Sequence, residues 1–109
     1  MQKLQKKVKL HFKLPIFYND GKPVEPQKLA NAKNYFIDTY GGLTVDGESE
    51  GYWQDQGALF KDQMLEYSVF IPRTKFSKIK NTIPKQIDKF RNQFKQIEIF
   101  CYYHNVVST

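Results

Sequence analysis

Val8, Leu10, Phe12, Leu14 and Ile16 alternate with Lys7, Lys9, His11 and Lys13. Apolar residues at every second position predict a β-strand with one buried face, because successive side chains of a strand point to opposite sides of its sheet. Asn19-Asp20-Gly21 ends that pattern with turn chemistry. Pro26 suits the first turn of a helix, and Leu29, Ala32, Phe36 and Tyr40 follow at spacings of three and four. A first helix is therefore predicted over about 26–40, with Gly41-Gly42 as its stop. Leu43-Thr44-Val45 opens a second strand, which resumes near Tyr52-Trp53 after the polar stretch Asp46 to Gly51. Asp55-Gln56-Gly57 reads as a hairpin turn, and a third strand follows, strongest at Leu65, Tyr67, Val69 and Ile71 and closed by Pro72. Phe76, Ile79, Ile83, Ile87, Phe90 and Phe94 then form the clearest amphipathic stripe, predicting a helix near 74–95. Pro84 lies inside it, so that helix is kinked or restarts there. A last strand runs from about Ile97 to Val106.

The order β-α-β-β-α-β, short connections and right-handed crossovers predict an α+β fold. The economical solution is a ferredoxin-like two-layer sandwich with antiparallel sheet order 4-1-3-2 and both helices on one sheet face. Residues 1–109 form one domain, since 109 residues suffice for a single core and leave no room for a second. If the apolar residues of the first strand face the helices, Lys7, Lys9, His11 and Lys13 line the other, open face. Phe100, Tyr102 and His104 of the last strand share it, as do Ser68 and Phe70 of the third.

Charge sharpens this picture. The net charge is +6, but residues 1–13 and 73–95 are basic, whereas Asp38, Asp46, Glu48, Glu50, Asp55, Asp62 and Glu66 crowd the middle against Lys61. Such polarity steers a polyanion or lets two copies attract each other. An aromatic content of 16% supplies a packed core and argues against disorder. The lone Cys101 permits no internal disulfide, and the first residues lack the apolar run of a signal peptide. A cytoplasmic location without membrane insertion is expected.

A set of short motifs is spread along the chain. Leu14-Pro15-Ile16-Phe17-Tyr18-Asn19-Asp20-Gly21 is followed by Gly41-Gly42-Leu43-Thr44-Val45, then Gly51-Tyr52-Trp53, Gly57 and Asp62, and Gln96-Ile97-Glu98-Ile99. Over roughly residues 14–100 this pattern resembles a family of small uncharacterised bacterial proteins, a domain of unknown function with some exported lipoprotein members. The leader and lipid-acceptor cysteine of those members have no counterpart here. The resemblance implies the fold and transfers no catalytic residue.

The candidate binding residues are Lys7, Lys9, His11, Lys13, Phe70, Phe100, Tyr102 and His104 on the open face, with Trp53 in the hairpin. An apolar face without a second layer points first to self-association as a homodimer, through this face or through the hairpin. Lysines interleaved with aromatics also suit RNA or single-stranded DNA, cations for phosphates and rings for bases. Trp53 either lids the core beside Gly41-Gly42, the preferred reading, or anchors an interface. His11 and His104, on neighbouring strands, are the only candidates for metal-free acid–base cleavage of RNA. The carboxylates at Asp46, Glu48, Glu50, Asp55 and Asp62 lack the spacing of a divalent-cation loop, so neither metal nor cofactor is expected. No Ser/His/Asp or Cys/His arrangement, phosphate-cradling loop or dinucleotide motif occurs, which disfavours an enzyme.

Overall fold

A computed structural model describes residues 3–96 and 99–109. The chain order is β1 (Gln5–Pro15), α1 (Pro26–Tyr40), β2 (Thr44–Asp55), β3 (Ala58–Pro72), α2 (Arg73–Ile79), α3 (Ile83–Gln93) and β4 (Phe100–Ser108). The strands form one antiparallel sheet in the order β2-β3-β1-β4, which reads β4-β1-β3-β2 from the other edge. The expected residues Ile97 and Glu98 of the last strand lie outside the described residues.

The alternation in β1 becomes burial in the folded chain. Val8, Leu10, Phe12 and Leu14 are buried, and so are Tyr67, Val69 and Ile71, which lie opposite Phe12, Leu10 and Val8 in β3. On the same side α1 contributes Ala32, Phe36 and Tyr40, and the second helical segment contributes Phe76, Phe90 and Phe94. Phe36 stands at the centre, its ring 4.4 Å from Phe12, 5.2 Å from Phe90 and 5.7 Å from Tyr67. Pro26 opens α1 with a φ that suits the helix and no N–H to satisfy. Gly41 closes it at φ +80°, its N–H donating to the Ile37 carbonyl at 2.8 Å, a left-handed geometry that costs a residue with a Cβ.

The helix expected near 74–95 is two helices. Pro84 has no N–H for the Lys80 carbonyl, and its ring would clash with that carbonyl in a continuous helix. A single 3₁₀ turn over Lys80–Thr82 resolves the conflict, because the N–H of Ile83 reaches the Lys80 carbonyl instead. Helix α3 then restarts with Pro84 in its first turn. Arg73 ties this layer to the sheet, donating to the backbone carbonyls of Lys7 at 3.2 Å and Val106 at 3.0 Å.

The expectation for β2 is corrected. The polar stretch from Asp46 to Gly51 does not interrupt the strand, which pairs with β3 from Thr44 to Asp55 with one bulge between Val45 and Gly47. Because β1 stops opposite Met64, the remainder of β2 and β3 projects beyond it as a two-stranded arm. The molecule accordingly measures 53 × 29 × 25 Å. Gln56 and Gly57 turn the arm with φ of +49° and +81°, the two positive values that a tight hairpin turn demands.

Candidate functional site

Direct cross-strand partners share a sheet face, so the register fixes what lies opposite the helices. One row runs Thr44, Ser68, His11, Tyr102 across all four strands. Beside it lie Phe70, Lys9 and His104 on one side, and Glu66, Lys13 and Phe100 on the other. Lys7 follows, between Pro72 and Val106. The expected residues of the open face therefore do meet on one surface.

That surface is aromatic and cationic at once. Phe70, Phe100 and Tyr102 are 48%, 57% and 38% exposed, far more than a covered face would allow. The Lys9 ammonium lies 5.5 Å from the centre of the Phe70 ring, and that of Lys13 5.4 Å from Phe100. Such contacts hold the flexible lysines against rings by attraction to the π-face. Lys13 also pairs with Glu66 at 3.6 Å. His11 stacks on Tyr102 at 4.3 Å and on His104 at 5.0 Å, the rings almost parallel.

Burial is the main reason that His11 is harder to protonate than an ordinary imidazole, followed by the Lys9 ammonium and the His104 ring; Asp46 and Glu66 oppose them. Sequence reasoning missed Asp46 in this role. As the extra residue of the bulge it has no cross-strand partner, and the backbone kink that brings it to bear on His11 leaves no sequence periodicity. Ser68, fully buried, and the Nε2 atom of His11 sit opposite each other in the register, and neither has a hydrogen-bond partner among the described residues.

The two imidazoles are stacked, which leaves no gap between them for a scissile phosphodiester. Two-histidine cleavage needs acid and base on opposite sides of the reacting phosphorus, so the arrangement does not suit that chemistry. The acidic residues do not converge either. Asp46 is in the bulge, Glu48 and Glu50 point to one side of the arm, and Asp62 points to the other. Among the described residues no group of three or more His, Cys, Asp or Glu side chains could hold a metal ion.

Trp53 corrects the preferred expectation. It does not lid the core beside Gly41-Gly42: it pairs with Phe60 near the end of the arm, stacked at 4.4 Å, and both rings remain more than 40% exposed. Its indole N–H donates to the Asp62 carboxylate at 3.0 Å. Residues 53, 60 and 62 have the parity of Gly47 and Glu66, so this cluster lies on the same sheet face as the lysine rows.

A separate concavity of about 510 Å³ lies between α3 and β4, lined by Ile83, Ile87, Arg91, Cys101 and Tyr103 among others. Burial pushes the Cys101 thiol up to about 11, which makes it a poor nucleophile at neutral pH. No helix among the described residues is long and apolar enough to cross a membrane. No family model, curated protein or solved structure matches the chain.

Proposed function

We propose that this protein is a non-catalytic binding and assembly module that pairs with a second copy of itself through the open sheet face, on a scaffold we read as ferredoxin-like. One observation carries the reading: the second sheet face holds exposed rings from β3 and β4 and continues into an aromatic arm, with no layer over either among the described residues. Monomers rarely leave such a surface bare. The half-buried thiol of Cys101 fits a reducing compartment, the cytoplasm. Light scattering at tens of micromolar tests the proposal: the expected mass is twice 12.9 kDa, and a monomer mass sinks it.

A second reading draws on the lysines held against Phe70 and Phe100. They suit RNA or single-stranded DNA, with ammonium groups at phosphates and bases on the rings. It predicts nucleic acid that co-purifies and is removed by nuclease, with binding that falls steeply as salt rises.

A further inference from the structure

Two copies meeting face to face with their lysines aligned would repel, which raises the question of how the surface could pair with itself. We infer that the two copies dock antiparallel, each laying its β2–β3 arm across the lysine-bearing face of the other. This rests on the self-association proposed above and specifies its geometry.

The arm and the body present complementary chemistry on one continuous sheet face. By register parity that side of the arm carries Asp55, Trp53, Phe60 and Asp62, with no basic residue among them; Lys61 points to the other side, where it pairs with Glu50 at 3.3 Å. The body side carries Lys7, Lys9 and Lys13 with Phe70, Phe100 and Tyr102; of its acids, Glu66 already serves Lys13 and Asp46 bears on His11. An antiparallel arrangement centred on Met64 brings Asp55 to the row of Lys9 and Phe70, Trp53–Phe60 to the row of His11 and Tyr102, and Asp62 to the row that holds Lys13 and Glu66. A parallel one sets like on like, which costs binding energy and slows encounter.

Dimensions agree. Met64 marks the junction, where β1 ends. From there β3 runs eight residues to Pro72 and six to Ala58, about 27 Å and about 20 Å at ~3.4 Å per residue. Two segments of similar length on either side of one point are what a two-fold axis through that point exchanges. Symmetry then makes every arm–face contact twice, as an isologous dimer requires.

The experiment uses two charge-reversed full-length variants, with light scattering and sedimentation as readout. In Asp55→Lys/Asp62→Lys both the arm and the body face are basic; in Lys7→Glu/Lys9→Glu both are acidic. All four positions are exposed or half-buried, and circular dichroism checks that each variant folds. Each variant alone should dissociate at least about tenfold more readily than the parent, because both of its contacts join like charges. Mixed one to one they should form a heterodimer, because both contacts then join opposite charges. Trp53→Ala, which leaves charge untouched, should weaken the parent dimer about tenfold or more, as loss of a central aromatic anchor does. A parent dimer that neither variant perturbs, or a mixture that stays monomeric, overturns the arm-on-face geometry while leaving self-association standing. A monomeric parent removes both. A parent mass that falls to the monomer value on nuclease treatment also removes both and assigns the face to nucleic acid.

Discussion

Along β3 the same alternation of side chains meets two different fates. From Leu65 to Ile71 one set of residues sits under α1, α2 and α3, and Tyr67, Val69 and Ile71 are all but inaccessible to water. From Ala58 to Asp62 the strand has only β2 beside it, and Leu59 and Phe60 remain open to solvent. The strand is hydrogen-bonded through both, with one bulge between Val45 and Gly47 on the β2 side. What differs is the second layer, so pairing alone extends a strand but does not bury it. The body is held by apolar burial, the arm by cross-strand pairs, Trp53 on Phe60, the indole on Asp62 and Lys61 on Glu50, with the Tyr52 hydroxyl donating to the same carboxylate along β2 at 2.9 Å. A two-stranded ribbon of that kind is marginal on its own in water.

The largest effect should come from the body. Phe36→Ala removes a fully buried ring that touches Phe12, Tyr67 and Phe90, and a cavity of that origin costs about 3–5 kcal/mol. Trp53→Ala, an equally drastic truncation in the arm, should change global stability by less than about 1 kcal/mol at concentrations where the chain is monomeric. Urea denaturation of both variants measures the contrast. If Trp53→Ala proves as costly as Phe36→Ala, the arm is part of the cooperative core and the distinction collapses.

Cys101 reports on the body from within. Its thiol is pushed up to about 11 by burial, against an ordinary value of 9.0. At pH 8 the thiolate fraction should be about a hundredfold below that of the unfolded chain, and alkylation by iodoacetamide should slow by a similar factor. Because the folded state favours the neutral thiol, its contribution to stability is complete below pH 9 and is lost as pH rises towards 11. Tyr40, raised to about 12 mainly by burial, acts in the same direction at higher pH. Labelling of the native protein at the unfolded rate would show that the α3–β4 side opens freely.

The division between body and arm also explains what could be read in the residues. The first strand and α1 were legible because burial writes itself as periodicity: Val8 to Leu14 at every second position, Leu29 to Tyr40 at every third and fourth. The arm was not. Glu48, Ser49 and Glu50 alternate no apolar face because no layer waits to cover one, so a paired strand looked like an interruption. Trp53 misled for the converse reason, since a large aromatic is by default a core residue and only the register reveals that its neighbour is Phe60. The break at Pro84 was half visible: the sequence marks the missing donor, but the choice between a kink and a restart depends on whether Ile83 can reach the Lys80 carbonyl. On the open face, the residues of β1, β3 and β4 followed from strand parity, whereas Asp46 depended on a bulge.

A smaller effect belongs to the turn of the arm. Gly57 lies at φ +81°, where a Cβ is strained although nothing crowds it. Gly57→Ala should cost about 1 kcal/mol. Since the arm has no core of its own, that loss should appear as faster amide exchange between residues 52 and 61, with the melting temperature of the body unchanged. A cooperative drop in melting temperature would tie the turn to the body instead.

The finest distinction is electrostatic, because the two regions move pKa values by different causes. In the arm, the Glu50 carboxyl is held below its ordinary 4.5 first by the Tyr52 hydroxyl and then by Lys61. In the body, His11 is held below 6.5 first by burial, then by Lys9 and His104. Both signs make the protein less stable in acid. Folded Glu50 favours the carboxylate, so its contribution is present above pH 4.5 and lost as pH falls through its lowered value. Folded His11 favours the neutral ring, so its contribution is present above pH 6.5 and lost as pH falls through its own lowered value. Substitution separates the causes. Tyr52→Phe removes the leading cause at Glu50 and should raise its midpoint, while the Lys61 ammonium keeps it below 4.5. Lys9→Gln removes only the second cause at His11, so that midpoint should rise yet stay below 6.5. Titration by NMR reads both. A His11 midpoint that reaches 6.5 in Lys9→Gln would mean that the lysine, not burial beneath the ring stack, controls the imidazole, and the open face would then be as wet as the arm.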